Sequence, residues 1–362
     1  MSVQAILDKA VDGKRITPEE GLLLLEKADL NSLGRAALAI KNRLHPEPIA
    51  TYVIDRNINY SNVCVADCDF CAFYRRPGDP EEYVLPRETI FQKIRELRAI
   101  GGTQILMQGG HHPYLKLDWY EDLIKGIRSE FPDIHVHAFS PSEIVHFSKI
   151  FKMPVADVIA KLKAAGLHSI PGGGGEILVD RVRKIIAPKK AMTNDWLGVM
   201  IEAAKQGMKG SCTMVVGHYE TPVERIEHLE RLRQTQDAHS PFTAFIVWTM
   251  QPMHTKLEGK IEPAGSFDYL RMAALARIYL DNIPNMQSSW VTQGSKVGQL
   301  SFLNGCNDWG GFMMEENVVS QAGTVHHVQI EEMRRLSAEL GLTLRKRNFF
   351  YQLIDDAAVV AA

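Results

Sequence analysis

The chain has 362 residues, with 41 Lys plus Arg against 43 Asp plus Glu and a formal net charge of −2, so nothing electrostatic points to nucleic acid as its main partner. With 45% hydrophobic and 23% charged residues, the composition is globular and excludes a disordered or collagen-like chain. Its longest early apolar run, Leu22–Leu25, is far short of the about 18 residues that suggest a membrane span; Asp8, Lys9, Asp12, Lys14 and Arg15 leave no signal-peptide core, and the expectation is a cytoplasmic protein without membrane contact.

Residues 1–48 read as a helical extension. Thr17-Pro18-Glu19-Glu20 has the form of a helix start, with Thr17 as cap, Pro18 in the first turn and Glu20 closing a capping box. A second helix over Leu33–Leu44 stops at His45-Pro46-Glu47-Pro48. From 49 to 305, β-rich runs alternate with amphipathic helices. The runs are Thr51–Tyr60, Gln104–Gln108, Ile134–Phe139, His168–Ile170, Cys212–Val216, Thr243–Thr249, Met286–Val291 and Gln299–Leu303. Helices such as Arg87–Ala99, Tyr120–Glu130 and Pro154–Ala165 lie between them. Alternation of this kind implies parallel strands joined by crossovers, and eight such units predict one α/β domain, a closed (β/α)8 TIM-type barrel. Residues 306–362 read as an extension packed on the barrel: a helix over Glu331–Leu340, a basic patch at Arg345-Lys346-Arg347 and an apolar tail.

In such a barrel the residues just after each strand share one rim, where active sites are built. Here those segments are rich in glycine and polar residues: Gln108-Gly109-Gly110-His111, Ser140–Glu143, Gly172–Glu176, Gly217–Glu220 and Asn304–Asp308. They point to a large polar pocket for a small molecule. Three of the five cysteines, Cys64, Cys68 and Cys71, form a C-x3-C-x2-C cluster after the first strand. Thiolates are soft ligands suited to zinc, copper(I) or iron–sulfur. Structural zinc asks for four protein ligands, so His111, His112 or a distant cysteine would have to supply the fourth. An iron–sulfur cluster on three thiolates leaves one iron free for a small molecule.

The cysteine spacing, with aromatic Phe70 before the third cysteine, resembles the radical S-adenosylmethionine (SAM) superfamily. The resemblance implies that Cys64, Cys68 and Cys71 hold a [4Fe–4S] cluster, with Phe70 beside it, and that the free iron chelates SAM. It also implies that Gln108-Gly109-Gly110 meets the methionyl amine through backbone carbonyls. Asn57–Cys64 and Cys71–Arg75 are similar to the subgroup acting in futalosine-pathway menaquinone biosynthesis and in deazaflavin biosynthesis. Trp248–Pro252 and Asn304–Gly311 most resemble its dehypoxanthine futalosine cyclase branch, although Cys306 and Met253-His254 depart from the pattern. The implied activity is radical cyclisation of dehypoxanthine futalosine, with SAM consumed and an external one-electron donor of flavodoxin or ferredoxin type. Other members of the subgroup, aminofutalosine synthase and the tyrosine-using deazaflavin-chromophore component, are the neighbouring readings.

That chemistry needs hydrogen-bond acceptors for SAM, groups that orient the sugar and a base for one proton. Glu143 and Glu176 are candidates for bonding SAM, and Asn307 and Asp308 for the sugar. His218 and Glu220 are candidates for the base, His218 first because an unperturbed imidazole titrates near neutral pH.

Overall fold

The computed structural model describes residues 2–354; the apolar tail expected beyond them lies outside the described residues. Helices α1 (Val3–Val11), α2 (Pro18–Lys27) and α3 (Leu30–Leu44) lead into β1 (Ile49–Val53) and β2 (Asp55–Ile58), one extended run interrupted at Ile54. There follow α4 (Arg87–Ala99), β3 (Gln104–Met107), α5 (Leu117–Glu130), β4 (His135–Ala138), α6 (Pro141–Phe151), α7 (Val155–Ala165), β5 (Ser169–Ile170), α8 (Asp180–Ile186), α9 (Thr193–Lys205) and β6 (Lys209–Val216). The chain continues through α10 (Pro222–His239), β7 (Phe242–Thr249), α11 (Ser266–Tyr279), β8 (Asn285–Gln287), α12 (Trp290–Gln293), α13 (Ser295–Ser301), β9 (Asp308–Gly311), α14 (Ile330–Glu339) and β10 (Thr343–Lys346).

The strands form one parallel sheet in the order β10-β1-β9-β8-β7-β6-β5-β4-β3-β2. Because β1 and β2 are continuous, this order curls back on itself. Phe312 N donates to Val53 O at 2.8 Å on one side of the run, and Thr103 N donates to Ile54 O at 3.1 Å on the other. Successive carbonyls of a strand point to opposite neighbours, so the 49–58 run joins β9 to β3 and the ring closes as a (β/α)8 barrel. Strands buried on both faces explain the near-continuous apolar character of segments such as Ile105–Met107 and Ala244–Val247.

The N-terminal helices pack on the outside. Thr17 and Glu20 make the expected capping box, with Pro18 in the first turn of α2, and Asp29 caps α3 by accepting from Ser32 N. Leu24, Leu33, Ala37 and Ile40 are buried, as are Tyr269, Ala273 and Tyr279 on α11. No described helix is long and apolar enough to cross a membrane.

The eighth strand is not where the pattern placed it. Gln299–Leu303 belongs to α13 and a 3-10 turn, and the strand that closes the ring is β9, inside the segment expected as an extension. The basic patch is also different in kind. Lys346 and Arg347 are buried: β10 pairs with β1, Lys346 Nζ donates to Gly101 O at 2.5 Å, and Arg347 turns into the barrel to meet Asp308.

Candidate active site

The Cys64–Cys71 loop follows β2 and lies across the C-terminal mouth of the barrel. Hydrogen bonds from three directions fix it: Cys64 N to Arg75 O at 2.9 Å, Val65 N to His111 O at 3.1 Å and Asp69 N to Ile186 O at 2.8 Å. Ala66 N and His111 N donate to Cys64 Sγ at 3.4 and 3.3 Å. Burial pushes the Cys68 thiol up to about 12 and the Cys71 thiol in the same direction, while Lys190 pulls both down. Among the described residues no three His, Cys, Asp or Glu side chains are drawn in to single-ion spacing. The donor set fits a larger iron–sulfur group: three thiols on one loop, backbone N–H groups aimed at a sulfur, and a cation beside them to favour thiolate.

Lys190 is half-buried beside the cluster loop. Its Nζ lies 4.9 Å from the centroid of the Phe70 ring and 3.0 Å from Glu176 Oε1, with Arg183 3.6 Å from Glu176 Oε2. Burial alone would raise the Glu176 carboxyl, but Lys190 and Arg183 outweigh it and hold it below the ordinary carboxylate value. Oε2 is buried without a hydrogen bond, an acceptor left open at the cavity wall.

Gly109 and Gly110 are required by close approach. A Cβ on Gly109 would stand 2.4 Å from the Tyr60 ring, and one on Gly110 would stand 2.3 Å from Val63 O and 2.6 Å from Cys64 Cβ. The glycines therefore let the turn after β3 lie against the cluster loop. Glu143 braces that turn. It accepts from Gly109 N (3.0 Å), Tyr60 OH (2.8 Å), Ser140 N (2.7 Å) and Ser140 Oγ (2.8 Å). It closes the capping box of α6, and it does not line the main cavity. Its oxygens serve the fold, in contrast to the expected contact with SAM.

Beneath the loop, the barrel interior encloses about 1230 Å³, part of it open to solvent. The upper wall carries Gln108, the Gly172–Gly174 turn, Glu176 and Trp248. Ile246, Val291 and Met313 form an apolar side. Asp55, Asn57, Gln104 and His137 lie deeper, and Arg347, Phe349 and Tyr351 come from the C-terminal segment. Among the described residues three acceptors in this wall are buried without a hydrogen bond: Asn57 Oδ1, Gln104 Oε1 and Glu176 Oε2, the last with Arg183 at 3.6 Å. Buried polar atoms are seldom left without partners, so these acceptors suit a ligand that donates hydrogen bonds.

Two of the expected pairs fall elsewhere. His218 and Glu220 follow β6 at the correct rim, but their side chains are 1% exposed and face the turn. His218 Nε2 donates to Val215 O at 3.0 Å and Nδ1 accepts from Tyr219 N at 2.9 Å. Glu220 accepts from Gly217 N and His218 N, at 2.7 and 2.9 Å, and from Arg225. Neither lines the cavity, in contrast to the expected place of a base. Asn307 and Asp308 stand at the start of β9, away from the rim. Asn307 Oδ1 accepts from Arg277 and from Met286 N, both at 2.9 Å. Asp308 is gripped by Arg347 at 2.6 and 2.7 Å and by Thr51 Oγ1 at 2.5 Å. Both are structural, because a closing strand that begins later than expected moves them from the rim to the lower barrel.

Asp55, Asn57, Gln104 and Arg347, which line the cavity, and Lys190, beside Phe70, are residues that the sequence reading did not single out for the site. Asp55 and Asn57 stand at i and i+2 of β2, a spacing that puts both side chains on one face of the strand. For Lys190 and Arg347 no local signal exists.

The fold and the loop together describe a barrel with three cysteines on one loop at its mouth, a donor set suited to an iron–sulfur cluster. Residues 58–232 match the Radical SAM superfamily and residues 239–360 the CofH/MqnC C-terminal region. A cyclic dehypoxanthine futalosine synthase from Halalkalibacterium halodurans is 46% identical over 98% of this chain and 95% of its own. A 5-amino-6-(D-ribitylamino)uracil–L-tyrosine 4-hydroxyphenyl transferase from Methanosarcina barkeri is 37% identical over 98% of this chain and 94% of its own. Among solved structures, methylornithine synthase shares the fold with a TM-score of 0.74 at 17% identity, covering 94% of this chain and 97% of its own. The chain belongs to the radical SAM superfamily, in the family that includes the cyclic dehypoxanthine futalosine synthases. Its cofactors are those of the superfamily, a [4Fe–4S] cluster and SAM.

Proposed function

We propose that this enzyme cyclises dehypoxanthine futalosine to cyclic dehypoxanthine futalosine, a step of menaquinone biosynthesis. The observation that carries the reading is 46% identity along almost the whole chain to a synthase of that name, against 37% for the hydroxyphenyl transferase. Cys64, Cys68 and Cys71 hold the cluster, with electrons delivered from outside by a small carrier of flavodoxin or ferredoxin type. When bound, the cluster and SAM supply a 5′-deoxyadenosyl radical.

The chain's own residues do the rest. Glu176, with Oε2 free of hydrogen bonds and its charge held by Lys190 and Arg183, accepts from a donor group of SAM. The backbone carbonyls of the Gln108-Gly109-Gly110 turn accept from its amine. Asn57 and Gln104 offer open acceptors to sugar hydroxyls, and Ile246, Trp248, Val291 and Met313 give an aromatic ring an apolar wall. Walls of this kind exclude water, which a carbon radical requires, and hold the sugar C–H at contact distance.

The test is an anaerobic assay of reconstituted protein with SAM and reductant. Dehypoxanthine futalosine is offered in one arm, and tyrosine with 5-amino-6-(D-ribitylamino)uracil in the other. The expected result is cyclised product in the first arm alone; hydroxyphenyl transfer in the second would overturn the reading.

A further inference from the structure

The cyclisation proposed above removes two hydrogens from its substrate. One leaves the ribose C4′ as an atom, taken by the 5′-deoxyadenosyl radical. The other leaves the aromatic carbon that has formed the new C–C bond, as a proton, and the remaining electron would return to the bound cluster, the one-electron acceptor that the cofactor set supplies. Atoms and electrons then balance without an outside oxidant, but the proton needs an acceptor inside the barrel.

Among the described residues, six side chains lining the cavity can ionise: Asp55, His137, Glu176, Glu316, Arg347 and Tyr351. Glu176 is paired with Lys190 and Arg183. Glu316 accepts from the backbone N–H groups of Val318, Val319 and Ser320 at 2.8 to 2.9 Å. Arg347 is a permanent cation bound to Asp308. Tyr351 OH takes a bond from Gln287 at 2.9 Å, and burial raises its pKa. His137 shares Ser169 Oγ at 2.7 Å, and burial holds its pKa well below the ordinary imidazole value, so it is a poor proton acceptor. Asp55 is different. Among the described residues its carboxylate takes one hydrogen bond, a long one from Met313 N at 3.3 Å. Its neighbours Asn57 and Gln104, the latter its register partner on β3, present unpaired acceptors beside it. The backbone has been cleared for it: a Cβ on Gly311 would stand 2.3 Å from Oδ1.

We propose that Asp55 accepts the proton lost when the new ring forms. The assignment rests on the cyclase reading and adds to it a catalytic residue, one whose open carboxylate meets the bound substrate. Burial, opposed by Met313 N–H and Arg347 and assisted by Asp308, brings its pKa up to about 6, close to the pH at which the base must work.

The experiment uses the reconstituted holoenzyme with SAM, reductant and dehypoxanthine futalosine deuterated at C4′. Wild-type turnover tests the cyclase reading by itself: absence of cyclised product there would be a failure of that reading and not of Asp55. Asp55→Asn is expected to keep its iron content and to transfer deuterium into 5′-deoxyadenosine, while cyclised product falls by about a hundredfold or more. Gly311→Ala, which displaces the carboxylate and leaves its chemistry intact, should show the same uncoupling in milder form and serves if the first variant does not fold. In wild type the ratio of product to 5′-deoxyadenosine should fall below about pH 6, and in Asp55→Asn it should be flat. Normal cyclisation by Asp55→Asn would overturn the proposal. So would a parallel fall of deuterium transfer and product, which would make Asp55 a positioning residue.

Discussion

Cys64, Cys68 and Cys71 differ from Cys212 and Cys306 in where their sulfurs can go. Cys212 is buried in β6 and donates to Ala244 O at 3.4 Å, and Cys306 donates to Gln287 O at 3.6 Å; both are enclosed by the barrel wall. Replacing any one of the three loop cysteines with alanine is expected to abolish SAM cleavage and to lower bound iron after reconstitution. Cys212→Ala should stay iron-replete, and an iron-free Cys212→Ala beside an iron-replete Cys68→Ala would reverse the assignment. Asp55 carries a stability signature as well. Its folded pKa, about 6, lies above the ordinary value of 3.8, so the folded protein holds a proton that the unfolded chain releases. Stability is therefore lost as pH rises from about 4 to about 6, by about 3 kcal/mol at most. In urea titrations, Asp55→Asn should gain on wild type across that window, and a difference independent of pH would show that the carboxyl titrates normally.

At the scale of elements, the turn between β6 and α10 shows how a rim position can be spent on the fold. Thr221 and Glu224 form the capping box of α10, with Pro222 in its first turn. Glu220 sits just before them and gathers the N–H groups of Gly217 and His218 together with the Arg225 guanidinium. Burial would raise its carboxyl, but His218, Arg225 and the Gly217 N–H outweigh it and hold it well below the usual range. A lowered carboxylate pKa gives stability that is present above the unfolded value and lost as pH falls toward the folded one. Glu220→Gln should cost about 2 kcal/mol at pH 7 in chemical denaturation, and less below pH 4. Because the pair faces away from the cavity, the ratio of cyclised product to 5′-deoxyadenosine should not change; a collapse of that ratio would bring His218 and Glu220 back as the proton acceptor.

Across the whole molecule, the barrel is closed below by its own C-terminal segment. β10 pairs with β1, and Arg347, Phe349 and Tyr351 enter the lumen from beyond it. The bidentate contact of Arg347 with Asp308, 3% and 0% exposed, ties that segment to the closing strand. Removing one partner of a buried pair strands the other charge, at a cost of about 3 to 5 kcal/mol. Arg347→Met is expected to lose stability in that range, and the Arg347→Met/Asp308→Asn double variant to recover much of it. Additive losses in the double-mutant cycle would show that the two residues act separately.

Much of this architecture is written in local pattern. The alternation of strands and helices, the capping box at Thr17 and the three-cysteine loop depend on spacing and on interactions a few residues long, and so they are legible without the fold. The eighth strand was not legible. Gln299–Leu303 is too short for its periodicity to separate strand from helix, and Asp308–Gly311, with two glycines, has little intrinsic tendency to extend. It is a strand because β1 and β8 present unpaired backbone on both sides of it. That one shift carried Asn307 and Asp308 from the expected rim to the lower barrel. The same holds for side-chain direction: His218 is at the mouth by chain position, but the bonds to Val215 O and Tyr219 N turn its ring into the wall. Local spacing determined the chemistry of the cluster loop. Which polar residues line the cavity was decided by the closure of the ring, because only the assembled barrel brings Asp55, Asn57, Gln104 and Glu176 to one lumen.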